Sequence, residues 1–232
     1  MKLAVSSRSF ARGIESGALT QLEWLDVCSA EPTIDGVDAS IEHFPRLDPE
    51  YLAQIKKLCV DRGLTIAGVN SSLALGGADV DPQIPELESA LDAAFALGAP
   101  LVRFACGAVS GSPGVAWREL IRALKAASEH AKRVNVTLAL SPRAQSLVPD
   151  EAAVKRALKE CDSAWLRLAL PAEVAWEPHA GDAVIMVAAP AGSDLAAALR
   201  FRGFVSLEDE RGGVDAAALR RWAETVYAAF ES

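Results

Sequence analysis

A carboxylate at the end of an alternating run is the first candidate for chemistry. Glu208 closes Gly203-Phe204-Val205-Ser206-Leu207-Glu208. Side chains in a strand alternate faces, so if Val205 and Leu207 pack outward against helices, Phe204, Ser206 and Glu208 point inward. A carboxylate buried there needs a metal ion, an arginine or a proton opposite it. By the same alternation Asp38 and Glu42 face inward from a second strand, Asn70 from a third, Arg103 from a fourth and Arg167 from a sixth. His43, Cys106 and Arg143 fall near the rim. Glu208, Glu42 and His43 are residue types that move protons. Asp38, Asn70, Arg103, Arg143 and Arg167 are types that grip hydroxyls and anions, and Trp176 in a loop offers a face for stacking a sugar ring.

Two readings of this set stand side by side. In one, arginine serves as the electrophile of a polyol site while Glu208 or Glu42 transfers a proton. In the other, the charges pair with one another and fill the interior, with Glu208 expected against Arg103 or Arg167. Cys106 reads as a buried structural thiol, because the nearest histidine, His43, lies two strands away.

The elements that would position these residues follow a regular rhythm. Strands are expected at 2–6, 36–42, 64–70, 100–106, 135–140, 164–170, 183–188 and 203–210. Helices are expected at 18–29, 49–62, 84–97, 115–133, 149–161 and 214–230. Asp48 is suited to N-cap the second helix with Pro49 at its first position, and Gly63 to end it. Residues 7–9 and 71–82 read as loops. Eight strands in 232 residues give about 29 residues per strand–helix unit, which argues for a single (β/α)8 barrel spanning 1–232. The 171–182 connection is too short for a full helix, so the barrel is expected to be reduced around strands six and seven. An open doubly wound sheet would call for a glycine-rich phosphate turn after the first strand, where Ser6-Ser7-Arg8-Ser9-Phe10 stands instead.

Composition narrows the partners. The chain is 51% apolar and 23% charged with a formal net charge of -8 and no basic patch, so nucleic acid is not expected. Cys28, Cys59, Cys106 and Cys161 are widely spaced, which suggests reduced thiols and a cytoplasmic protein. No run of eighteen apolar residues offers a membrane span.

Four stretches together carry a family resemblance: Gly36-Val37-Asp38 with His43-Phe44-Pro45, Gly63-Leu64-Thr65-Ile66-Ala67-Gly68-Val69-Asn70, Leu97-Gly98-Ala99-Pro100-Leu101-Val102-Arg103, and Gly203 to Glu208. In order and spacing the chain resembles the xylose-isomerase-like TIM barrels. That superfamily contains sugar isomerases, sugar-phosphate and inosose-type epimerases and dehydratases, and endonuclease IV relatives. The resemblance implies a divalent metal held by acidic and histidine side chains at the ends of strands five to eight.

Only Glu208 matches that ligand pattern. The fifth strand ends Leu140-Ser141-Pro142-Arg143, and the sixth and seventh, 166–170 and 184–188, supply no carboxylate or imidazole. One carboxylate cannot hold a divalent ion, so no metal cofactor is expected. With only His43, His130 and His179, a multi-zinc nuclease centre cannot be built either. The expected ligand is a small polyhydroxylated or anionic molecule. The expected activity is a sugar or sugar-phosphate isomerisation or epimerisation by proton transfer, the alternative being a non-catalytic relative that binds a small polyol, an anion or a protein partner.

Overall fold

A computed structural model describes residues 2–77, 79–172, 183–190 and 201–231. Its eight strands are β1 (Lys2–Ser6), β2 (Gly36–Ser40), β3 (Thr65–Leu75), β4 (Leu101–Cys106), β5 (Thr137–Ser141), β6 (Leu166–Pro171), β7 (Val184–Pro190) and β8 (Phe204–Glu208). They join in chain order into a closed barrel, as the repeat rhythm predicts. Seven α-helices lie among the described residues: α1 (Ala11–Glu15), α2 (Gln21–Ser29), α3 (Pro49–Asp61), α4 (Gln83–Leu97), α5 (Pro113–Val134), α6 (Glu151–Cys161) and α7 (Ala216–Glu231). Among those residues no helix is long and apolar enough to cross a membrane. The shortened connection expected between β6 and β7 falls on 173–182, outside the described residues.

Helix boundaries follow local side-chain chemistry. Thr20 and Glu23 form a reciprocal capping box at the start of α2. Asp48 accepts the Tyr51 amide with Pro49 in the first turn of α3, and Asp150 accepts the Ala153 amide at α6. Gly98 ends α4 at φ 75°, a left-handed conformation that favours glycine.

Three stretches differ from the sequence expectation. β2 stops at Ser40, and Ile41–His43 turns into a 3-10 helix, so Glu42 is not on a strand. β3 runs on to Leu75 through residues expected to be loop. Beyond Asn70 its register against β4 shifts, and Leu73 and Leu75 are buried while Ser72 and Ala74 are exposed. That alternation sustains a strand without an unbroken apolar run. Ser7–Phe10, expected as loop, is also a 3-10 turn, followed directly by α1.

The principal segments pack as two compact units, Met1–Gly68 with Met186–Ser232, and Val69–Leu170. In the first unit, register aligns Ala4 with Gly36 and with Ser206, and Ser206 with Ala188. This layer of small inner side chains lies one step below the layer in which Ser6 aligns with Asp38, and Pro190 with Glu208. Leu3, Val5, Val37, Val205 and Leu207 alternate to the opposite face and are buried. In the second unit the outer face carries Val102, Phe104, Leu138, Leu140, Leu166 and Leu168, all buried. The strands are therefore apolar toward the helices, and on the inner face they combine small and polar side chains.

Candidate active site

The candidate site of the first unit is built at the ends of β1, β2 and β8. Alternation puts Glu208 on the inner face at the last position of β8, where it is 5% exposed. Two residues earlier, Ser206 donates its hydroxyl to Asp38 Oδ2 at 3.0 Å, with both residues fully buried. That contact fixes the inward direction of Ser206, and with it that of Glu208. Ser6 aligns with Asp38 in β2, and Val5 aligns with Leu207, so Ser6 stands at the level of both carboxylates. Two strand spacings then separate the backbones of Asp38 and Glu208, about 10 Å.

The turn after β1 ties these strand ends together. Ser6 Oγ accepts the Arg8 amide. Ser7 Oγ accepts the Ser40 amide at 2.8 Å, holding the end of β2. Ser9 Oγ donates to the Leu207 carbonyl at 3.3 Å and accepts the Asp209 amide at 2.8 Å, holding the end of β8. Arg8, between these serines, brings Nη1 to 3.9 Å from Glu208 Oε1. That separation is an electrostatic contact longer than a hydrogen bond. Alternation does not select Arg8, because it lies past the strand. The signal for it in the sequence is the density of hydroxyls in Ser6-Ser7-Arg8-Ser9, directly after a barrel strand.

His43 ends the turn after β2, and its side chain is 7% exposed. Its Nδ1 lies 2.8 Å from Ser7 Oγ, and its Nε2 lies 4.0 Å from Glu15 Oε1. Since Ser7 Oγ already accepts the Ser40 amide, the network is satisfied when the Ser7 hydroxyl donates to Nδ1 and the imidazole proton sits on Nε2. Burial lowers the His43 pKa, Glu42 and Glu15 act to raise it, and Arg8 acts with burial.

This shift has a consequence for stability. The folded-state pKa lies below the ordinary 6.5, so the unfolded chain binds the proton more readily. The stability contributed by neutral His43 is complete above that ordinary value and is lost as pH falls toward the folded-state pKa. Melting temperature is expected to fall between about pH 7 and about pH 5 more steeply in the wild type than in His43→Gln. Parallel melting curves for the two proteins would show that the imidazole is not held neutral.

Glu42 is exposed in the turn after β2 rather than inward on a strand, because the chain leaves the sheet at Ser40. In the second unit Asn70 and Arg103 are buried, Arg167 is half-buried and Arg143 is exposed in the loop after β5. Cys106 is buried on the outer face, and burial pushes its thiol up to about 12, as fits a structural cysteine. Trp176 lies outside the described residues.

The xylose isomerase-like TIM barrel family matches residues 30–172, more than half of the chain. The chain belongs to this family. No curated protein matches the sequence. Among solved structures, the zinc-bound IolI protein superposes with a TM-score of 0.79 at 14% identity, covering 99% of this chain and 98% of that one. The 3-keto-D-glucoside 4-epimerase YcjR from E. coli superposes at 0.74 and 14%, covering 99% of each chain. D-Psicose 3-epimerase from Clostridium cellulolyticum H10, determined with D-tagatose, superposes at 0.73 and 12%, covering 100% of this chain and 98% of its own. At such identities the likeness is one of fold.

The donors on these strands do not fit the divalent ion that the family resemblance implies. β7 places Pro190 in register with Glu208. β5 ends at Ser141, followed by Pro142 and Arg143, and β6 ends at Leu170-Pro171. Among the described residues no three histidine, cysteine or carboxylate side chains gather as a metal site would require.

Proposed function

We propose that this family member transfers a proton on a small polyhydroxylated molecule, as a sugar or sugar-phosphate isomerase or epimerase whose metal site has degraded. The observation that carries the reading is Glu208, a buried carboxylate at the C-terminal end of a barrel strand with the Arg8 guanidinium beside it. Enzymes of this fold draw their catalytic groups from that end of the strands.

In the proposed step Glu208 takes a proton from the carbon next to the substrate carbonyl. The C–H bond breaks, its electron pair moves onto the carbonyl oxygen, and an enediolate forms. Arg8 donates to that oxygen as its charge develops, the part a metal plays elsewhere. Return of the proton to the neighbouring carbon, with the hydroxyl proton passing from one enediolate oxygen to the other, gives the isomer, and return to the other face of the same carbon gives the epimer. Asp38 and Ser206 hold substrate hydroxyls or the strand geometry that aims Glu208. His43 is a positioning residue that keeps Ser7, and hence the Arg8 turn, in place. Four free and buried cysteines suit a reducing, cytoplasmic setting.

The test uses protein dialysed exhaustively against a chelator and assayed for deuterium uptake from heavy water into ketoses, aldoses and their phosphates. Uptake that persists with far less than about one metal ion per chain is expected. Uptake that returns only when a divalent metal is restored would contradict the metal-free part of the proposal.

A further inference from the structure

We infer that the inner face of the second unit holds a subsite for an oxyanion, a phosphate or carboxylate carried by a small molecule. Asn70, Arg103, Ala139 and Arg167 align across β3, β4, β5 and β6 in one register layer. Their neighbours along β4 to β6, Val102, Phe104, Leu138, Leu140, Leu166 and Leu168, are buried on the opposite face. The layer therefore belongs to the inner face by alternation. Its polar members supply two guanidinium forks and the NH2 donor of an amide.

Two observations point from this layer to a ligand. Asn70 is 3% exposed, and its Nδ2 has no hydrogen-bond partner. A buried amide donor left unmatched costs about 1–3 kcal/mol, so an acceptor is wanted there. Arg167 is half-buried, and no carboxylate lies within ion-pair distance of it among the described residues. Ala139 separates Arg103 from Arg167 with a methyl group alone, leaving two arginines rooted about 10 Å apart on one face. Side chains of that length can converge on one tetrahedral or planar oxyanion, which suits the guanidinium fork. The anion is assigned to this layer alone, so the inference does not rest on the proposed function.

The experiment measures melting temperature and calorimetric binding for the full chain with inorganic phosphate, glucose 6-phosphate, gluconate and glucose. Saturable stabilisation by an anionic probe, without a response to glucose, is expected. Glucose 6-phosphate acting alone identifies phosphate as the anion, and gluconate acting alone identifies carboxylate. Arg167→Gln should weaken that binding about tenfold or more. Asn70→Asp, which keeps the side-chain shape and places a negative charge in the layer, should abolish it. A wild-type protein stabilised by no anion, or equal binding in wild type and both variants, would overturn the inference. If anions fail while deuterium uptake into neutral sugars persists, the subsite falls and the proposed function stands. If anions bind while uptake is absent throughout, the reverse holds.

Discussion

Glu208→Gln should slow carbon–proton exchange by about 10²–10⁴-fold, the usual size of a general acid–base contribution, in a protein that remains folded. Gln keeps the shape of the side chain but cannot accept the substrate proton. The contact with Arg8 spans 3.9 Å, and the Arg8 side chain is 23% exposed. The contact is weak at that separation, and the melting curve reads what its loss and that of the other interactions of Glu208 remove. Deuterium uptake followed by NMR, with a melting curve for each protein, separates the chemical effect from unfolding. Unchanged exchange in the variant would move the base to another residue.

The largest effect on stability should come from Gly36→Ala. A β-carbon at this position would sit 2.3 Å from the Thr65 carbonyl oxygen and 3.1 Å from the Phe204 ring. The first of these is backbone of a barrel strand and cannot swing aside. Relief would require β2 and β3 to separate, or Phe204 to leave its place below Ser206, disturbing the layer that supports Asp38 and Glu208. Overpacking against backbone puts the cost at the upper end of point-mutation effects, on the order of 4 kcal/mol. Chemical denaturation of the two proteins reads this directly. A loss below about 1 kcal/mol would mean that the strands separate easily at this point.

Much of the barrel can be read from the sequence, because parallel strands buried on both faces leave apolar runs at a regular repeat. Caps such as Asp48-Pro49 and Gly98 mark helix ends by local chemistry alone. The inward direction of Ser206 and Glu208 follows from period-two alternation, and the Ser206–Asp38 bond matches it. Alternation misleads at Glu42, since nothing in Ala-Ser-Ile-Glu-His announces that the chain leaves the sheet at Ser40. It also misses the extension of β3 to Leu75, whose serines and alanine resemble loop composition. Arg8 escapes for a different reason. Its contact with Glu208 depends on a turn closed by long-range bonds from Ser7 to Ser40 and from Ser9 to Leu207 and Asp209, and such bonds have no local signature. The unmatched Asn70 amide is likewise visible only once its surroundings are built.

Proton transfer by Glu208 without a metal is read from loss of the C–H signal next to the carbonyl. The sample is chelator-treated wild-type protein in heavy water with a ketose or ketose phosphate that raises its melting temperature. Exchange of that hydrogen alone is expected, at a rate that collapses in Glu208→Gln. A sugar that binds and stabilises the protein while every carbon-bound hydrogen stays unexchanged would contradict it, leaving a barrel that binds its ligand without chemistry.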